Sequence, residues 1–327
     1  MTYDFRRRIL TIPAARTGRS WLKKIKFKGY NNLSLYRFLK IFIGNLQEDE
    51  IMARANGVAF NFILAIFPTI IFLFTLIPYV SNYFPAINEN SIMAFLGDLM
   101  PDNMYAIASS AILDIVRNQR GGLLTFGFVL ALYLATNGMM TLMRAFNACY
   151  RTIEKRNWLT MWLTATGLTI MLSFVLLFAS AMLIVGQIAL HEITDVAKIG
   201  HFGLEHYLLD VLRFLIILVV FFLAISSIYY FGPAVHYNWK FFSIGSVIAT
   251  LAFLGISYGF SFYVANFSSY NKVYGSIGAL IALMVWVQLV TAVLLFGYEI
   301  NASLHYGRKV EAIDVHRKAK RIEKAMR

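Results

Sequence analysis

The chain has 327 residues, of which 59% are hydrophobic and 14% charged, with a formal net charge of +13 and a mean hydropathy of +0.63. This balance excludes an ordinary soluble domain and points to an all-α polytopic membrane protein. The single cysteine, Cys149, excludes an intramolecular disulfide, a CxxC redox pair and any cysteine-based metal cluster.

Residues 1–50 form a basic leading segment. Arg6, Arg7, Arg8, Arg16, Arg19, Lys23, Lys24, Lys26 and Lys28 are interrupted by Phe5, Trp21 and Phe27, the pattern of a mobile tail over residues 1–32 that lies on anionic lipid headgroups. Each cation near such a surface contributes about 1 kcal/mol. The first long apolar run begins only after Asn56, too late for a cleavable signal peptide. Between them, Leu33 to Leu46 is too short and too interrupted by Arg37 and Lys40 to span, and it predicts an amphipathic helix parallel to the membrane in the interface. The acidic turn Glu48, Asp49, Glu50 follows, with Arg54 and Asn56 at headgroup level.

Six spans are predicted within residues 51–303: Gly57 to Val80, Leu123 to Leu142, Met161 to Gly186, Leu212 to Phe231, Phe241 to Val264 and Val273 to Tyr298. In the first, Pro68 removes a backbone hydrogen bond mid-span, and Asn61 calls for a partner on a neighbouring helix. Residues 81–122 contain one or two further amphipathic helices. The second span has no breaker at its end, so its helix is expected to emerge and carry Arg144, Asn147, Arg151, Glu154, Lys155 and Arg156 near the surface. The loop from Gln187 to Asp210 holds His191, His201 and His206 among acids but lacks metal-ligand spacing, and reads as a solvated loop. Tyr229 to Pro233 places aromatics at headgroup depth before a helix stop. Gly245, Ser246, Gly255, Ser257, Gly259 and Ser261 offer close helix approach along the fifth span. A basic tail covers residues 304–327.

With these bounds 25 of the 30 lysines and arginines fall on one side of the membrane. The positive-inside rule puts that side, with both termini, in the cytoplasm, and it accounts for the net charge without nucleic acid as a partner. Apart from Arg213 at the edge of the fourth, the predicted spans carry no Asp, Glu, His, Lys or Arg, which argues against an enzyme, a metal or cofactor site, or ion coupling through buried carboxylates. What remains for a substrate path or for bonds between helices is polar but uncharged: Asn61, Asn137, Trp286, Gln288, and the entry residues Tyr274 and Gly275 of the last span. Glu299 and Asn301 stand at that span's exit. Glu299 is expected to pair with a cation emerging on the same side, Arg54, Arg144, Arg151 or Arg156, with Asn147 nearby.

Five motifs together resemble the YihY/BrkB family of bacterial inner-membrane proteins, some of which were once labelled ribonuclease BN. They are AFNFILAIFP at Ala59 to Pro68, RAFNACYRTIEKR at Arg144 to Arg156, the Tyr230 to Pro233 exit, YGSIGALIALMVW at Tyr274 to Trp286, and GYEIN at Gly297 to Asn301. The resemblance covers Asn45 to Ser303. It implies a six-helix protein of the bacterial cytoplasmic membrane with cytoplasmic termini. It also implies membrane lipids as partners and a role in envelope maintenance, by transport or handling of a lipid or other amphiphile. The alternatives are a tRNA-processing ribonuclease, after the older label, and an envelope scaffold that transports nothing.

Overall fold

The computed structural model describes residues 20–48, 50–80, 93, 109–110, 112–115, 117–150, 152–197, 204–234, 240–266 and 268–326. The amphipathic helices expected over 81–122 lie mostly outside these residues, whereas most of the loop expected over 187–210 is helical: residues 187–197 continue the helix that begins at Trp158, and residues 204–210 open the helix that ends at Phe231. A short antiparallel hairpin pairs β1 (Lys26–Phe27) with β2 (Leu33–Ser34), its turn closed by left-handed Asn31 and Asn32. Seven helices follow among the described residues: α1 (Leu35–Glu48), α2 (Ile51–Val80), α3 (Gly121–Cys149), α4 (Trp158–Ala197), α5 (Leu204–Phe231), α6 (Ile244–Asn266) and α7 (Ser268–Met326). Helices α2 to α7 are each long and apolar enough to cross a membrane. The fold is all-α and polytopic, as the composition requires.

The spans pack as a closed ring in chain order, each of α2 to α6 against the next and α7 back against α2, while α7 also reaches α3 across the ring. Their outward faces carry large apolar side chains, among them Phe60, Phe126, Phe174 and Leu177, which would be costly in water and are natural against lipid. Inside the ring the core is concentrated at the end that bears both chain termini. There Phe146 of α3, Tyr229 of α5 and Tyr298 of α7 meet as a triangle. Phe146 stacks on Tyr298 at 4.4 Å, and Tyr229 approaches the two edge-on at 5.4 and 5.6 Å. Each such pair contributes about 0.5–1.5 kcal/mol beyond the area it buries. The Tyr229 hydroxyl is satisfied by donating to the Leu294 carbonyl at 2.6 Å.

Three expectations change here. α7 runs unbroken for 59 residues, about 90 Å at the helical rise, so roughly 60 Å of it extends beyond a hydrocarbon layer about 30 Å thick. The boundary expected near Ser303 therefore falls inside one helix. Residues 26–34 are likewise a built element in place of a mobile tail. Leu33 is fully buried against Leu304 and Phe38, and its side chain fills the space over Gly307. The helix expected in the interface is present as α1, but its apolar face is taken by α7. The contacts Arg37 to Glu311, Ile41 to Gly307 and Asn45 to Ser303 show α1 running antiparallel along the emerging end of α7.

Small residues on α6 divide by position. At Gly245 an added methyl would land on the Gly297 carbonyl and the Asn301 side chain. A methyl on Gly297 would in turn meet Ala249 and the Tyr229 hydroxyl at 2.5 Å. Gly255 and Gly259, expected to serve the same purpose, have open space around them. Gly245→Ala is therefore expected to destabilise the protein in detergent by about 1–3 kcal/mol, the range for overpacking. Gly255→Ala is expected to be neutral or to stabilise by up to about 1 kcal/mol through helix propensity. Thermal unfolding of the two variants beside the parent checks both.

Candidate functional site

The polar side chains gather at the termini-bearing end of the ring, and two clasps hold the helices there. In the first, Asn301 of α7 bonds with both of its amide atoms. Its Oδ1 accepts from the Gly245 N–H at 2.9 Å and its Nδ2 donates to Ser243 Oγ at 2.8 Å. Asn301 thus caps the start of α6, where the first N–H groups have no partner within the helix. This bond and the Gly245–Gly297 approach depend on each other, since only a glycine lets the two backbones come so near.

The second clasp joins α3 to the end of α5. Asn147 is buried; its Oδ1 accepts from the Ala234 N–H at 2.8 Å and its Nδ2 donates to Glu154 at 2.8 Å. Glu154 takes the guanidinium of Arg156 in a two-pronged pair at 2.9 and 2.8 Å, and Arg156 also donates to the Gly232 carbonyl at 2.8 Å. This network corrects the expected continuation of the second span. α3 stops at Cys149, and the chain folds back so that the Thr152 N–H reaches the Asn147 carbonyl. Gly232 and Pro233 end α5 as their sequence indicates.

The hydrogen bond from Arg156 is the main reason the Glu154 carboxyl stays below its ordinary pKa, despite the opposing cost of partial burial. A carboxyl lowered in the folded state stabilises the fold above its unfolded pKa and loses that contribution as the pH falls through its folded value. Glu154→Gln should therefore lower the melting temperature at neutral pH. The gap from the parent should close in acid, below the ordinary carboxylate range. Melting curves of both proteins across that range test it.

Glu299 directly follows the predicted span from Val273 to Tyr298 and lies within the long apolar part of α7. It is completely buried. Its Oε1 accepts from Asn45 Nδ2 of α1 at 2.7 Å and from Ser303 Oγ at 2.8 Å. The expected partner was one of four arginines. Arg156 is committed to Glu154, Arg144 is exposed, and Arg151 lies outside the described residues. The spans as built also hold charge that the shorter predicted ones lacked, Arg54 in α2 and Glu299 in α7 among it. A carboxylate enclosed there is the usual mark of a functional position in a membrane protein.

Beside Asn45 opens a cavity of about 480 Å³ between α1, the end of α3 and α7, with Lys40, Gly44, Tyr150 and Lys309 in its wall. Lys309 Nζ sits over the Tyr150 ring at 5.4 Å, and His305 meets that ring edge-on. Farther along the ring, α4 and α5 leave a groove of about 700 Å³ lined by Met171, Phe174, Val175, Leu215, Val219 and Leu223 among others.

The other sequence-derived positions do not converge. Asn61 donates to the Gly57 carbonyl of its own helix at 2.8 Å and not to a neighbour. Asn137 is half-buried on α3, its carbonyl accepting from Thr141. Trp286 reaches Ser257 of α6 at 3.3 Å, and Gln288 reaches Asn56 of α2 at 2.8 Å. Tyr274 and Gly275 are helical, but their side chains lie outside the described residues. Asn45, Ser303, Lys40 and Lys309 were missed. Their only trace in the sequence is polar residues on the faces of α1 and α7 that the fold turns toward each other. Among the described residues no three of His, Cys, Asp and Glu gather as metal ligands.

A six-span helical ring with a buried polar layer at one end defines a multi-pass membrane protein. The chain matches the family described as Virulence factor BrkB over residues 42–323 and belongs to it. It is 30% identical over 275 residues to the ribonuclease-like protein YfkH of Bacillus subtilis (strain 168), a match covering 84% of this chain and 97% of that one. A UPF0761 membrane protein of Alteromonas mediterranea is 28% identical over 84% of this chain and 90% of its own. One from Psychrobacter sp. (strain PRwf-1) is 23% identical over 86% of this chain, which spans only half of that longer relative. No solved structure matches. The relatives are bacterial, as expected for a multi-pass bacterial membrane protein.

Proposed function

We propose that this protein resides in the bacterial inner membrane with both termini in the cytoplasm, and that it takes up and moves a lipid or similar amphiphile in maintenance of the envelope. The observation that carries this reading is the α4–α5 groove. Its volume of about 700 Å³ is that of a ligand site, and its lining is apolar throughout among the described residues. A wall without a hydrogen-bonding side chain offers nothing to a soluble polar substrate, whereas a hydrocarbon chain fills it by dispersion contacts alone. Two spans of the ring form it, so a lipid can reach it from within the bilayer. The orientation is supported by 25 of 30 basic residues falling on the termini-bearing side.

The name of the Bacillus relative offers a ribonuclease as another reading. Against it, the acids at the basic end have structural partners: Glu154 binds Asn147 and Arg156, Glu311 binds Arg37, and Glu299 accepts from Asn45 and Ser303.

The test is transbilayer movement of a fluorescent phospholipid in vesicles reconstituted with the purified protein. Movement faster than in protein-free vesicles is expected, with a substantial loss in Val175→Phe/Val219→Trp, which fills the groove without adding charge. Rates equal to empty vesicles, or a groove-filled variant as fast as the parent, would overturn the reading.

A further inference from the structure

We propose that the cavity between α1, the end of α3 and α7 is a binding site for a phosphate-bearing anion, with Lys40 and Lys309 as its cationic arms. The argument starts from charge. Both lysines line the cavity, and among the described residues no acid does. The two acids on the adjoining stretch of α7 are engaged elsewhere, Glu299 by Asn45 and Ser303 and Glu311 by Arg37 at 2.6 Å. Lys309 is also held in place, because its ammonium lies over the Tyr150 ring at 5.4 Å. At about 480 Å³ the cavity is large enough for a small ligand.

Its walls are mixed. Asn45, Tyr150 and Tyr306 present polar groups, while Ile41, Gly44 and Ala302 present hydrocarbon and open backbone. A bare ion would leave the apolar wall unused; a phosphate attached to a short organic body would use both. Its α7 wall, Ala302 to Lys309, lies just past the predicted span that ends at Tyr298, where the proposed orientation puts lipid headgroups. Gly44 has open space around it, so a larger side chain there enters the cavity without striking the backbone.

This site is separate from the α4–α5 groove and does not rest on lipid movement, so it can stand or fall independently of that activity. The full-length protein in phosphatidylcholine nanodiscs is titrated calorimetrically with dihexanoyl phosphatidic acid, dihexanoyl phosphatidylcholine and inorganic phosphate. Saturable binding of the phosphatidic acid and none of the phosphatidylcholine is expected. Lys40→Gln/Lys309→Gln should weaken it about thirtyfold, from the contribution of two cations, and Gly44→Leu should abolish it. Inorganic phosphate that binds as tightly as the lipid identifies the ligand as free phosphate; phosphate that fails to compete identifies it as a lipid headgroup. Equal binding of both lipids, or binding by neither lipid nor phosphate, would overturn the proposal, as would affinity unchanged in both variants while their melting temperatures match the parent.

Discussion

The stack of Phe146, Tyr229 and Tyr298 is the contact on which the rest of the ring depends. In a bilayer the hydrophobic effect does not drive helices together, because lipid is as apolar as the side chains. Association must come from close packing and from polar groups that find partners. Three rings from α3, α5 and α7, each almost wholly buried, supply the first at the point where alternate members of the ring converge. The bond from Tyr229 to the Leu294 carbonyl supplies the second in the same place. Other inward contacts at this end, from the Gly245–Gly297 approach to the two asparagine clasps, extend from the same centre.

The polar layer follows from that convergence. Where helices end or emerge, backbone groups lose their intrahelical partners and must be satisfied by something other than lipid. Asn301 serves the start of α6, and Asn147 with Arg156 serves the end of α5. The same end carries Glu299, enclosed by α1, and the cavity with Lys40 and Lys309 next to it. The opposite pattern holds at the α4–α5 groove, where the described lining is apolar. The molecule thus separates an apolar groove between two spans from a cavity that carries two lysines.

Much of the fold was legible because length and hydropathy decide which segments can span, and the six expected spans correspond to α2 through α7. Span ends were less legible. Hydropathy falls at Glu299, yet the helix continues because α1 and the β1–β2 hairpin cover Leu304 and Gly307 with Leu33 and Ile41, a long-range contact that no local pattern encodes. The same limit applies to the site. Asn147, Glu299 and Asn301 stand out as polar residues at span ends, but their partners Ala234, Asn45 and Gly245 are from 56 to 254 positions away in sequence. Asn61 failed in the opposite direction: its partner is Gly57, one turn back, where an interhelical bond was expected.

The central claim is that α1 lies along α7 and encloses Glu299, joining the leading segment to the last span. Disulfide trapping in native membranes tests it most directly, using Asn45→Cys/Ser303→Cys in a Cys149→Ser background. Asn45 Nδ2 and Ser303 Oγ are 3.3 Å apart, so mild oxidation should yield an intramolecular crosslink in most of the folded protein, while the control pair Ile43→Cys/Ser303→Cys, with Ile43 on the exposed face of α1, should give none. Absence of the Asn45–Ser303 crosslink, or equal crosslinking of the control pair, would contradict the account.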